Sequence, residues 1–234
     1  MKKVVAGVDI GGTNTVFGIV DTEGKVLSEG HLKTTDYPEI KDFVKALGAG
    51  VKKLLAGKKD LELVGIGIGA PDANYHRGTI EHAPNLAWKG IVPLGDLVKK
   101  ELNVQVAVTN DANAAAMGEM VFGGAKGMKD FIILTLGTGL GSGIVVDGKL
   151  VYGHTGFAGE VGHLCVVPGG RECGCGRKGC LETYASATGL VKTVSLMISE
   201  MRADSPLRDI PPAKLTSKAI AEAAAKGDPI ALKA

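Results

Sequence analysis

The residues best equipped for chemistry lie in the second half of the chain. Cys173, Cys175 and Cys180 are spaced by glycines and basic residues, and His163 precedes them. Two cysteines one residue apart strain a direct disulfide, and the spacing is not the C-x-x-C of a thioredoxin-like redox pair. Three thiolates and an imidazole form a full donor set for tetrahedral Zn²⁺. Gly174, Gly176 and Gly179 would let the backbone fold around the ion. Unliganded thiols and a disulfide are the alternatives. Cys165 is a rival ligand, but its place in the apolar run Leu164-Cys-Val-Val167 predicts a buried free cysteine. Glu160, His163 and Glu182 flank the set. Taken singly they read as solvated charges; drawn together by a metal clip, they would be acceptors suited to a polyhydroxy ligand.

A second group of residues suits anions. The stretches Asp9-Ile-Gly-Gly-Thr-Asn14 and Leu136-Gly-Thr-Gly-Leu-Gly-Ser-Gly143 both read as a glycine/threonine turn between apolar strands. Free N–H groups and hydroxyls in such turns make concave anion sites. Neither is a Walker A loop, and the second fails G-x-G-x-x-G. Each alone is equally an ordinary hairpin turn. Asp9 beside the first turn would repel an anion unless a cation lay between, which points to Mg²⁺ with a nucleotide polyphosphate. Asp111 stands between an apolar strand and an alanine-rich helix. It is either a helix N-cap or a carboxylate at the carboxyl end of a strand, placed to take a proton from a substrate hydroxyl.

The elements that must position these residues alternate in type. Strands are expected over 3–10, 15–21, 26–32, 62–71, 104–110, 130–136, 143–147 and 149–153, and helices over 38–57, 93–102 and 112–123. The opening strand–turn–strand pattern returns near residue 130, so the chain is expected to hold two related α/β lobes. The small lobe takes 1–115 and the large lobe 116–234, with a phosphate hairpin in each. Asp228 and Pro229 read as an N-cap and first helical residue. The chain stops soon after, too early for a helix of that length to stand alone, so an N-terminal fragment of a longer protein is expected.

Composition narrows the function classes. Apolar residues make up 45% of the 234, charged residues 22%, and the net charge is +2. This describes an ordinary globular protein and gives no footprint for nucleic acid or membrane. The longest apolar run is broken by glycines and polar residues, and Asp9 interrupts any signal-peptide core. A cytoplasmic protein with reduced thiols is expected.

The stretches Asp9–Thr15, Thr135–Gly143, Asn110–Ala116, Gly159–His163 and Cys173–Glu182 together resemble the ROK family of sugar kinases and repressors. The last of these matches the family's C-x-C-G-x-x-G-C-x-E pattern without substitution. The resemblance implies an α/β, actin-like, hexokinase-type ATPase fold (ribonuclease H-like), two lobes around a cleft, with the C-terminal part missing. It implies ATP-dependent phosphorylation of a hexose, first of all glucose to glucose 6-phosphate. N-acetylglucosamine, N-acetylmannosamine, mannose or fructose are alternative substrates, and a sugar-binding regulator is an alternative role. Asp111 would be the general base. Asn85, Asn110, Asp111, Glu160, His163 and Glu182 would bind the sugar. Asp9, Gly11, Gly12, Thr13 and Asn14, with Gly137, Thr138 and Gly139, would serve ATP and Mg²⁺. His163, Cys173, Cys175 and Cys180 would hold a structural zinc. A homo-oligomer, dimer or tetramer, is implied for the full length, and weak ATP affinity for a chain lacking the family's last segment.

Overall fold

The computed structural model describes residues 1–234. Two compact units emerge, one of 1–133 with 143–159 and one of 134–142 with 160–234.

The first unit is built on strands β1 (Lys2–Ile10), β2 (Asn14–Asp21), β3 (Val26–Lys33), β4 (Leu61–Ala70) and β8 (Gln105–Asn110), in the order β3-β2-β1-β4-β8. β1 pairs antiparallel with β2 and parallel with β4, and β4 is parallel to β8. Alternation along β1 buries Val4, Ala6, Val8 and Ile10 on one face, the period-two pattern of a half-buried strand. Helix α1 (Ile40–Leu55) closes that face with Phe43, Leu47 and Val51, spaced one turn apart. Helix α2 (Leu94–Leu102) adds Leu94 and Val98 in the same way and ends at left-handed Asn103. Between β4 and α2 runs a small sheet of β5 (Ala73–Asn74), β6 (Thr79–Glu81) and β7 (Ile91–Val92). Helix α3 (Asp111–Val121) follows β8 without a loop. Gly69 permits its close approach to β4, since a Cβ there would stand 3.2 Å from the Ala114 methyl.

The chain continues through β9 (Phe131–Leu136), β10 (Leu140–Val146) and β11 (Lys149–Leu150), ordered β11-β10-β9. The β9–β10 turn is tighter than its sequence suggests. Leu140-Gly-Ser-Gly143 already belongs to the strand, because alternate glycines do not prevent extended pairing at a hairpin.

The second unit carries the β9–β10 turn, a long irregular loop, and helices α4 (Glu182–Ala185), α5 (Ala187–Glu200), α6 (Ser217–Ala225) and α7 (Pro229–Lys233). Its core is Val194, Leu207, Leu215, Ile220, Ala223, Ile230 and Ala231. Side chains cap the helices: Ser186 accepts from Gly189 N, Thr216 from Ala219 N, and Asp228 from Ile230 N and Ala231 N. α7 shows both the expected cap and the expected Pro229. It persists at five residues because Ile230 is fully buried, so tertiary packing supplies what length does not. No helix is long and apolar enough to cross a membrane.

Candidate functional site

In the first unit the parallel strands β1, β4 and β8 end at the same edge. Asp9 lies opposite Gly69, and Gly69 opposite Thr109. Chain direction therefore delivers Asp9, Asn110 and Asp111 to the carboxyl ends of β1 and β8, on either side of β4, where open α/β sheets carry their ligand chemistry. The helix cap falls on Asn110, whose Oδ1 accepts from Ala112 N at 2.9 Å. Asp111 is the first helical residue and is exposed. Partial burial, and next the nearby Asp111 charge, raise the Asp9 carboxyl above the ordinary carboxylate range.

The first glycine turn, 11–13, is fixed by its neighbours. Gly11 N donates to Asn14 O, and Thr13 O accepts from Thr34 N. Below it the buried hydroxyls of Thr15 and Thr34 are 2.8 Å apart. Gly12 lies against the loop carrying Asn85, and a Cβ at Gly12 would stand 2.7 Å from Asn85 O. The Pro84-Asn-Leu-Ala-Trp88 loop works by alternation: Leu86 and Trp88 are buried while Asn85 is exposed. Trp88 packs against Phe43 with the ring planes tilted by 51° and centroids 4.6 Å apart, and it donates from Nε1 to Tyr37 O. Asn85 is thus presented beside Gly12 by two apolar anchors.

In the second unit, His163, Cys173, Cys175 and Cys180 converge, their donor atoms all within 4.8 Å of one another. Zn–S and Zn–N bonds of tetrahedral zinc require S···S near 3.8 Å and S···N near 3.5 Å, about the edges of that tetrahedron. The Cys175–Cys180 sulfurs are 3.8 Å apart, and Cys173 Sγ lies 3.6 Å from His163 Nδ1. The cluster fits the ion. Burial pushes the Cys173 thiol up to about 12, while the Arg177 backbone and side chain draw Cys175 down to about 6. Cys165 departs from expectation. It is exposed, as are Leu164, Val166 and Val167, and its Sγ faces Lys178 O outside the cluster. Its run of apolar residues belongs to a loop that pairs with the Cys180 end through Val166 N to Gly179 O and packs against no core.

The carboxylates around the cluster are sorted by His163. Its Nε2 is 3.9 Å from Glu160 Oε2, and its Nδ1 is 3.5 Å from Glu182 Oε1. Glu182 reaches further. Its Oε1 accepts from the Cys173 thiol at 2.9 Å, and its Oε2 accepts from Leu140 N at 3.4 Å. It therefore touches both the cysteine cluster and the end of the second glycine turn, a link that spacing did not reveal. That turn, Gly137-Thr-Gly139, is further tied to the start of α5. Ala187 N donates to Gly137 O and Thr188 Oγ1 to Thr138 O. Each unit thus assembles its own share of the expected residues: Asp9, the first turn, Asn85, Asn110 and Asp111 in one, the second turn, Glu160, His163, Glu182 and the cysteines in the other.

Known proteins resemble this chain over most of its length. A glucokinase of Streptomyces coelicolor is 42% identical over 236 residues, covering 97% of this chain and 71% of that protein. A xylose repressor of Caldicellulosiruptor bescii is 42% identical over a shorter stretch, 59% of this chain and 35% of its own length. Among solved structures, the ROK family glucokinase of Streptomyces griseus in complex with glucose and AMPPNP superposes with a TM-score of 0.77 at 39% identity, over 98% of this chain and 73% of that one. The fold is accordingly the hexokinase-type ATPase fold of those kinases. The ROK family model matches residues 5–234, and the chain belongs to the ROK family.

Proposed function

We propose that the protein is an ATP-dependent hexose kinase that converts glucose to glucose 6-phosphate. The observation that carries the reading is the pairing of Asp9 and Asp111 at one sheet edge beside a glycine turn, in a chain whose glucokinase relatives match it over nearly its whole length. Phosphoryl transfer needs positioning and charge neutralisation more than covalent help from the protein. Asp111, exposed at the start of α3, accepts the proton of the attacking sugar hydroxyl. Asn85, Asn110, Glu160, His163 and Glu182 are the candidates for binding the remaining hydroxyls. The turns at Gly11–Asn14 and Gly137–Gly139 present backbone N–H groups and the Thr13 and Thr138 hydroxyls to the phosphates.

Two ions fit the residues present. The raised Asp9 carboxyl, facing the Asp111 charge, suits a divalent cation that offsets the repulsion and neutralises polyphosphate charge. His163, Cys173, Cys175 and Cys180 would hold Zn²⁺ as a structural brace. Ligation through Nδ1 would fix the His163 ring so that Nε2 faces Glu160 and a sugar hydroxyl. A reduced thiolate set belongs to a reducing compartment, so the reading places the protein in the cytoplasm. A homo-oligomer goes with this reading.

The test is ADP release over a panel of glucose, mannose, fructose, N-acetylglucosamine and N-acetylmannosamine. Glucose-dependent release with glucose preferred is expected. Glucose binding without ADP release would replace the kinase by a sugar sensor, the role that the repressor relatives suggest.

A further inference from the structure

The cysteine loop is tied to more than the sugar acceptors. Arg171 opens the hairpin that carries Cys173 and Cys175, and its backbone O accepts from Gly179 N across that hairpin. Its side chain points the other way. Arg171 Nη1 donates to Thr183 O at 2.7 Å, to Thr193 Oγ1 at 2.9 Å and to Gly189 O at 3.3 Å. The guanidinium lies 4.5 Å over the Tyr184 ring, and the Tyr184 hydroxyl accepts from Arg171 N at 2.9 Å. One planar cation thus joins the cysteine hairpin to α4 and to the first two turns of α5. A guanidinium suits this task because it offers several fixed donors and a face that stacks on an aromatic ring.

The same end of α5 holds the second glycine turn. Ala187 N and Thr188 Oγ1 grip Gly137 O and Thr138 O, at 3.0 and 2.6 Å. Glu182 meets the turn from the other side at Leu140 N. Gly139 has no room for a side chain there, since a Cβ would stand 2.7 Å from Glu182 Oε2. The Arg171 side chain thus spends its donors on Thr183 in α4 and on Gly189 and Thr193 in α5.

We propose that Arg171 is a positioning residue through which the cysteine–histidine loop sets the Gly137–Gly139 turn, so that the metal clip serves the nucleotide phosphates and not the sugar alone. The inference rests on the kinase reading for its kinetic arm only.

The experiment compares wild type with Arg171→Gln and Thr188→Val, each first checked for zinc content. Thr188→Val removes the hydroxyl that grips the turn and that also meets the α5 cap Ser186 Oγ at 3.1 Å, so it stands in if Arg171→Gln folds poorly. Both are expected to raise the KM for ATP roughly three- to tenfold, leaving the KM for glucose within about twofold. The double variant should fall short of the product of the single effects, because both act on one turn. Arg171→Gln should also speed amide exchange at Gly137 and Leu140 while zinc is retained. An equal rise in both KM values, a rise for glucose alone, or unchanged exchange at the turn would overturn the proposal. Absence of hexose kinase activity in wild type would remove the functional reading, and the exchange measurement would still decide the role of Arg171.

Discussion

The two glycine–threonine turns have similar sequences and are held by different means. The first is backed by a five-stranded sheet, a buried threonine pair and the Asn85 loop packed against Gly12. The second hangs on a helix start, on one carboxylate, and through them on a loop whose organising atoms are sulfur and nitrogen. Strand β9 behind it exposes Ile132, Leu134 and Leu136. A repeated motif therefore does not imply a repeated support. One turn rests on a complete apolar core; the other is held by polar links.

The largest expected effect breaks the chemistry of the first unit and leaves both supports intact. Asp111→Asn should lower kcat by ~10²–10⁴-fold, the usual worth of a general base, with glucose affinity retained by calorimetry. A drop in affinity of similar size would make Asp111 a binding residue instead. Next comes the brace of the second turn. Cys175→Ser, or chelation of the metal, should cost at least about tenfold in kcat/KM and raise amide exchange over 137–140, leaving 11–14 protected. Equal loosening of both turns would abolish the contrast.

The contrast was only half legible in the sequence. The strands of the main sheet and helices α1 and α2 follow from periodicity, since alternating Val4-Ala6-Val8 and the 43-47-51 spacing each permit one reading. The gathering of His163 with Cys173, Cys175 and Cys180 was legible from residue type and spacing. The strands β5 to β7 were not, because two or three residues among glycines and prolines carry no period. Cys165 misled because apolar neighbours predict burial only inside an element that meets the core. Arg171 and the double contact of Glu182 had no pattern to betray them. Their partners lie at Thr183, Gly189 and Thr193, and at Leu140 and Cys173, joined by folding and not by sequence order.

A finer probe is glycine replacement. Gly12→Ala forces a methyl toward Asn85 O and should destabilise by about 1–3 kcal/mol, seen as a fall in Tm. Gly137→Ala has open space around it and should change stability by less than about 1 kcal/mol, in the stabilising direction. The reverse order would mean that the first turn is the yielding one. The smallest effect is electrostatic. Neutralising Asp111 removes a like charge from Asp9, so in Asp111→Asn the Asp9 pKa should move down toward the ordinary carboxylate value. Carbon-13 titration of Asp9 reads this directly, and an unchanged midpoint would leave burial as its sole cause.

The kinase reading turns on the transfer of phosphate from ATP to the 6-hydroxyl of glucose. Phosphorus-31 NMR of the protein incubated with glucose, ATP and Mg²⁺ addresses it most directly. A growing glucose 6-phosphate resonance in step with ADP, lost in Asp111→Asn, is expected. Inorganic phosphate without a sugar phosphate, or no ATP turnover at all, would contradict it.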